Sequence, residues 1–105
     1  MIPAILIGRG GSVGLPRKNI LPILNRPLMS YPLLAAQNSN YVDEVYVSTE
    51  SEEIMDVAKK LGSKIIDRPK ELATNEASVE SVFFHAYEHI KKLNKEKIEY
   101  VVILM

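Results

Sequence analysis

Four of the five glycines in this chain fall within seven positions, at Gly8, Gly10, Gly11 and Gly14. Arg9 stands among them, and Pro16, Arg17, Lys18 and Asn19 follow. Glycine lets backbone N–H groups approach an anion closely and point at its oxygens. Arginine adds a forked donor suited to phosphate, and lysine adds a compact charge. A lone glycine pair would read as a structural turn. Four glycines with three cations and no acid, directly after the apolar run Pro3 to Ile7, read as an anion-binding loop. A triphosphate is the anion that needs several such donors, because charge builds on the departing pyrophosphate during transfer.

Two common phosphate loops are excluded by spacing. A Walker A loop needs G-x-x-x-x-G-K-[ST]. The sixth position is Val13 when counted from Gly8 and Leu15 when counted from Gly10. The dinucleotide fingerprint G-x-G-x-x-G starts well with Gly8-Arg9-Gly10 and then meets Val13.

The elements that must position this loop follow from the hydrophobic pattern. Pro3 to Ile7 is apolar at every position, as a strand covered on both sides would be. Leu21 to Leu24 is a short apolar piece. Pro27 suits a first helical turn, with Leu28, Leu33, Leu34 and Ala35 on one face. Pro32 would kink that helix or shift its start. EVYVS, Glu44 to Ser48, is a second strand. Thr49 and Glu52 form a capping box for a helix carrying Ile54, Val57, Ala58 and Leu61, which Gly62 closes. Ser63 to Asp67 is a third strand, and RPKELATNEAS is a loop holding Arg68. Val79, Val82, Phe83, Ala86, Ile90 and Leu93 mark a long amphipathic helix, and Tyr100 to Met105 is a fourth strand.

Alternating strands and helices predict a Rossmann-like α/β fold of three layers, α/β/α, around a mostly parallel sheet. Ligands in such sheets bind beyond the carboxyl ends of the strands. The opening loop leaves the first strand there, and Arg68 leaves the third. An apolar final strand on a free edge is an aggregation liability. The expectation is that residues 1–105 are part of a longer domain, or of one whose missing half a partner chain replaces.

Composition narrows the class of protein. The 105 residues are 47% hydrophobic and 25% charged, which is globular rather than disordered. No apolar run approaches the ~20 residues of a membrane span. The first residues lack a basic stretch and a cleavage-like site, so no signal peptide is expected. With no cysteine there is no disulfide framework or thiolate metal site. The default is a soluble cytoplasmic protein. Net charge is zero, yet residues 1–42 carry Arg9, Arg17, Lys18 and Arg26 and no acid. A local positive field in a neutral protein points to a small anionic ligand rather than a nucleic acid. The KKLNKEK stretch is a solvated basic face without an aromatic stacking platform.

Three segments together resemble the CMP-sugar synthetases, the cytidylyltransferases that activate acylneuraminic and related nonulosonic acids. They are RGGSVGLPRKN, VYVSTES and DRPKELATNEAS, at spacings like the family's. The resemblance covers nearly the whole chain and matches an N-terminal half. It implies that Arg9 and Lys18 hold the CTP phosphates beside the backbone of Gly10, Gly11 and Ser12. Asn19 would help place the nucleotide, Arg68 would lie near the cytosine, and Ala77 and Ser78 would flank base and ribose. The implied reaction is attack of the sugar acid's anomeric hydroxyl on the α-phosphate of CTP, giving a CMP-sugar and pyrophosphate. Mg²⁺ would neutralise the phosphates, with its ligands beyond residue 105, and the full-length form would be a homodimer.

The sequence departs from the family pattern in places. Val13 stands where a lysine is common, Glu50 replaces Asp after VST, and Asn75 replaces Asp before the long helix. Met105 falls where some members carry a sugar-contacting glutamine. Two other readings stay open: a nucleotidyltransferase for a different sugar acid or sugar phosphate, and a truncated, non-catalytic nucleotide-binding module. Alone, the 105 residues are expected to bind nucleotide but not to transfer it. The sequence names neither the sugar acid nor the general base. His85 and His89 have a chelating i, i+4 spacing but no third ligand, and read as surface or packing histidines. Glu50, Glu52 and Glu53 read as an acidic first helical turn favoured by the dipole. The Phe83-Phe84 pair reads as core.

Overall fold

A computed structural model describes residues 1–8, 22–23, 26–27, 29–72, 78–93 and 97–104. The elements in chain order are β1 (Pro3–Ile7), β2 (Pro22–Ile23), β3 (Arg26–Pro27), α1 (Ser30–Gln37), β4 (Glu44–Thr49), α2 (Glu52–Lys60), β5 (Lys64–Asp67), a 3-10 turn (Lys70–Leu72), α3 (Val79–Leu93) and β6 (Val102–Leu104). Four strands form one sheet in the order β5-β4-β1-β6, and every pairing in it is parallel. The chain moves outward from β1 through β4 to β5, then crosses back to place β6 on the other side of β1. The order therefore reverses between β1 and β6, the kind of position where open α/β sheets bind ligands.

The apolar strands are explained by burial on both faces. Ala4, Leu6, Val45 and Val47 pack with Met29, which caps the first helix, with Leu33 and Ala36 of that helix, and with Ile54 and Ala58 of α2. The opposite sheet face presents Ile5, Tyr46 and Ile66 to Ala86 and Ile90 of α3. Helices thus cover both faces, which gives the expected three layers. Among the described residues no helix is long and apolar enough to cross a membrane.

Local chemistry corrects several expected boundaries. Pro27 does not open a helix. It pairs with Pro22 in the antiparallel β2–β3 ribbon, and α1 starts at Ser30. Pro32 then falls in the first turn, where a missing N–H costs nothing because that amide has no intrahelical partner. The cap of α2 is Ser51, not Thr49. The Ser51 hydroxyl accepts from Ile54 N–H at 3.3 Å, while Thr49 Oγ1 accepts from Ser51 N–H at 3.1 Å. The two hydroxyls turn the chain from strand into helix in sequence. The expected third and fourth strands are shorter, and the loop after Arg68 contains the 3-10 turn. Of the two phenylalanines only Phe83 packs on the core. Phe84 lies one position further round the helix and is 63% exposed.

Candidate active site

The carboxyl ends of β1, β4 and β5 are tied together at one residue. Gly8, buried just past β1, donates its N–H to the carbonyl of Ser48 at 2.9 Å. The same carbonyl accepts from Nη2 of Arg68 at 2.7 Å. Arg68 Nε donates to the Ser48 hydroxyl at 3.2 Å, and Arg68 N–H donates to the Thr49 carbonyl at 3.0 Å. Ser48 and Thr49 are fully buried and Arg68 is 3% exposed. A guanidinium holds its charge at any ordinary pH and only donates, so burying it is tolerable only with acceptors in place. Ser48 supplies two of them. The knot fixes the point from which the glycine-rich loop departs.

Arg68 therefore lies where the expectation put it, at the exit of β5 on the end of the sheet from which the loop leaves. Ser78 opens α3. Its hydroxyl accepts from Ser81 N–H at 3.0 Å, and its carbonyl accepts from Val82 N–H and the Ser81 hydroxyl. This is an N-cap arrangement that leaves the Ser78 hydroxyl hydrogen able to donate elsewhere. Arg9, Gly10, Gly11, Ser12, Lys18, Asn19 and Ala77 lie outside the described residues, as do Val13, Asn75 and Met105. Among the described residues no group of three His, Cys, Asp or Glu could hold a metal ion, so His85 and His89 have no third partner there.

Sequence reasoning missed Ser48. Its signal was a polar residue inside the apolar run of EVYVST, near the carboxyl end of a strand buried on both faces. Serine there has to find a partner, and the cation two residues past the apolar part of β5 is in reach.

The amino end of the sheet has a different chemistry. A groove of about 560 Å³ there is lined by residues that include Gln37, Asp43, Glu44, Gly62 and Lys64. The Tyr46 hydroxyl donates to Glu44, and Lys64 Nζ lies 3.0 Å from Glu44 Oε1 and 5.7 Å from the centre of the Tyr46 ring. The Tyr46 hydrogen bond, with Lys64 adding to it, holds the Glu44 carboxyl below its ordinary value, against the opposing effect of partial burial. The hydrogen bond to Glu44 raises the Lys64 ammonium. With two acids on its wall and its lysine already paired, this groove is unsuited to a triphosphate.

Comparisons with known proteins show the family and the fold. The sequence profile of a family described as Cytidylyltransferase matches residues 3–103. The pseudaminic acid cytidylyltransferase of Campylobacter jejuni serotype O:2 is 42% identical over 92 residues, covering 87% of this chain and 40% of that protein. The N-acylneuraminate cytidylyltransferase of Escherichia coli O18:K1:H7 is 40% identical over 85 residues, covering 81% of this chain and 20% of that protein. The chain thus spans two fifths or less of the length of these relatives. A solved CMP:2-keto-3-deoxy-manno-octonic acid synthetase complexed with CTP superposes with a TM-score of 0.71 at 22% identity, over 97% of this chain and 39% of that one, and so shares its fold. By a profile match that runs almost from end to end, this chain belongs to the cytidylyltransferase family.

Proposed function

We propose that this chain supplies the nucleotide-gripping part of an enzyme that transfers CMP from CTP to a nonulosonic, sialic-acid-like sugar acid. The observation that carries the reading is the place of the glycine-rich, cationic loop. It leaves β1 at Gly8, beside the point where strand order reverses. The names of the relatives supply the substrate class, since they act on pseudaminic and N-acylneuraminic acids.

In this reading the anomeric hydroxyl of the sugar acid attacks the α-phosphate. The bond from that phosphorus to the bridging oxygen breaks, and pyrophosphate leaves. Arg9 and Lys18 donate to the phosphates, with the amides of Gly10, Gly11 and Ser12, and so stabilise charge that grows on the leaving group. Asn19 helps to hold the nucleotide, and Ala77 and Ser78 flank base and ribose. Arg68 discriminates the base. Cytosine offers O2 and N3 side by side as acceptors, whereas N3 of uracil carries a hydrogen. A donor-only fork therefore favours CTP over UTP.

Mg²⁺ enters this proposal as the ion that accompanies the triphosphate. The described residues form no metal cluster. The working form is proposed to be a cytoplasmic homodimer that engages neither nucleic acid nor membrane.

The test is pyrophosphate release when the full-length form that contains this chain is incubated with CTP, Mg²⁺ and either pseudaminic or N-acylneuraminic acid. Release with CTP and one of these acids is expected. Release only with another nucleotide and a sugar phosphate would transfer the chain to a different nucleotidyltransferase activity. Tight CTP binding without turnover would make it a binding module.

A further inference from the structure

We propose that Ser48 is a positioning residue for nucleotide recognition, fixing the plane of the Arg68 guanidinium and joining it to the start of the glycine-rich loop. The inference rests on the reading of Arg68 as the residue that meets the base.

Three observations carry it. First, Ser48 stands in register between Ile7 of β1 and Ile66 of β5 and is fully buried. A small apolar side chain would fill that place without desolvating a hydroxyl, so the hydroxyl needs a reason. Its described bond is the one it accepts from Arg68 Nε at 3.2 Å. Second, Ser48 takes one edge of the guanidinium twice, through Nε at the hydroxyl and Nη2 at the carbonyl. A planar group gripped at two points along one edge cannot turn about its own bond to the side chain. The remaining N–H groups then point away from Ser48 in a fixed direction. Recognition by a fork depends on such angular definition. Third, the same carbonyl receives Gly8 N–H at 2.9 Å. The direction of the guanidinium and the launch point of the loop therefore share one reference atom.

The hydroxyl and the carbonyl can be separated by mutation. Ser48→Ala removes the hydroxyl and keeps the carbonyl that holds Gly8. Calorimetric titration with CTP, UTP and inorganic tripolyphosphate, alongside thermal unfolding, distinguishes their roles. The preference for CTP over UTP should fall by about tenfold, the order of one lost hydrogen bond to a charged group. Tripolyphosphate affinity should stay within about twofold of the original. Ser48→Thr, which restores the hydroxyl, should recover the preference. If alanine unfolds the chain, Ser48→Cys, similar in size and a weaker acceptor, should give the same selective loss. A variant with the original CTP to UTP ratio overturns the proposal. So does a parallel loss for all three ligands in step with the melting temperature, which would make Ser48 only a packing residue. A native chain that binds CTP and UTP equally would overturn the reading of Arg68 itself, and this proposal with it.

Discussion

The two ends of the central sheet handle charge in opposite ways. At the amino end, charges sit near solvent and find close partners. Glu44 meets Tyr46 and Lys64, the Asp43 carboxylate accepts from Ile2 N–H, and the chain's amino group lies 3.5 Å from Glu99. These pairs fasten the rim. At the carboxyl end a guanidinium is buried against a serine hydroxyl and a carbonyl that a backbone amide also uses. Apolar residues of similar volume would give stability there with less desolvation. The difference is one of chemistry: the described charges of the amino end pair near the surface, whereas the carboxyl end buries a cation against the carbonyl that also holds Gly8, where the glycine-rich segment of the sequence begins. In the proposed function, that costly arrangement marks the ligand end.

The contrast can be broken most severely at Arg68. Arg68→Met keeps much of the volume and strands the Ser48 hydroxyl in an apolar sheet. Denaturant unfolding should show a loss of about 3 kcal/mol, the scale of hydrogen bonds to a charged group plus one orphaned acceptor. An unchanged midpoint would mean that the knot contributes nothing to the fold. Lys18→Ala should weaken CTP binding by ~1.5–3 kcal/mol, measured by calorimetry, with little change in the unfolding midpoint. That split between binding and stability is the mark of a ligand-facing cation.

Smaller effects sharpen the picture. Ser51→Ala removes the α2 cap just beyond the knot and should cost about 1 kcal/mol of stability in a denaturant titration. At the amino end, Glu44→Gln should have the least effect on stability and none on CTP affinity, because the pair is partly exposed and screened by salt. Its pH dependence has a definite sign. The folded value for Glu44 lies below the ordinary 4.5, so its contribution is present above that pH and disappears as pH falls through the lower folded value. For Lys64 the folded value lies above the ordinary 10.5, so its contribution is present below that pH and disappears as pH rises through the higher value. Unfolding midpoints of the native chain and Glu44→Gln should therefore converge in acid.

Much of the fold was legible because parallel strands buried on both faces leave a plain apolar signature. Pro3–Ile7 and the apolar part of Glu44–Thr49 read directly, and the period of Val82, Ala86 and Ile90 marked α3. The position of Arg68 was legible because it directly follows the apolar stretch that forms β5, which puts it at the carboxyl end of a parallel strand. What was hidden depended on contacts between distant residues. Pro27 favours helix starts locally, but pairing with Pro22 captured it for a ribbon. Thr49 and Ser51 are both competent caps, and only the turn geometry selects Ser51. Ser48 gives its meaning only once β4 and β5 are adjacent, because its partner lies 20 residues away in the chain.

The most direct test is a crystal structure of this chain soaked with CTP. The account predicts the triphosphate against residues 8–19 at the end of β1, with the cytosine turned toward Arg68. Nucleotide bound in the amino-end groove lined by Glu44 and Lys64, or a carboxyl end that stays free of nucleotide at saturating CTP, would contradict it.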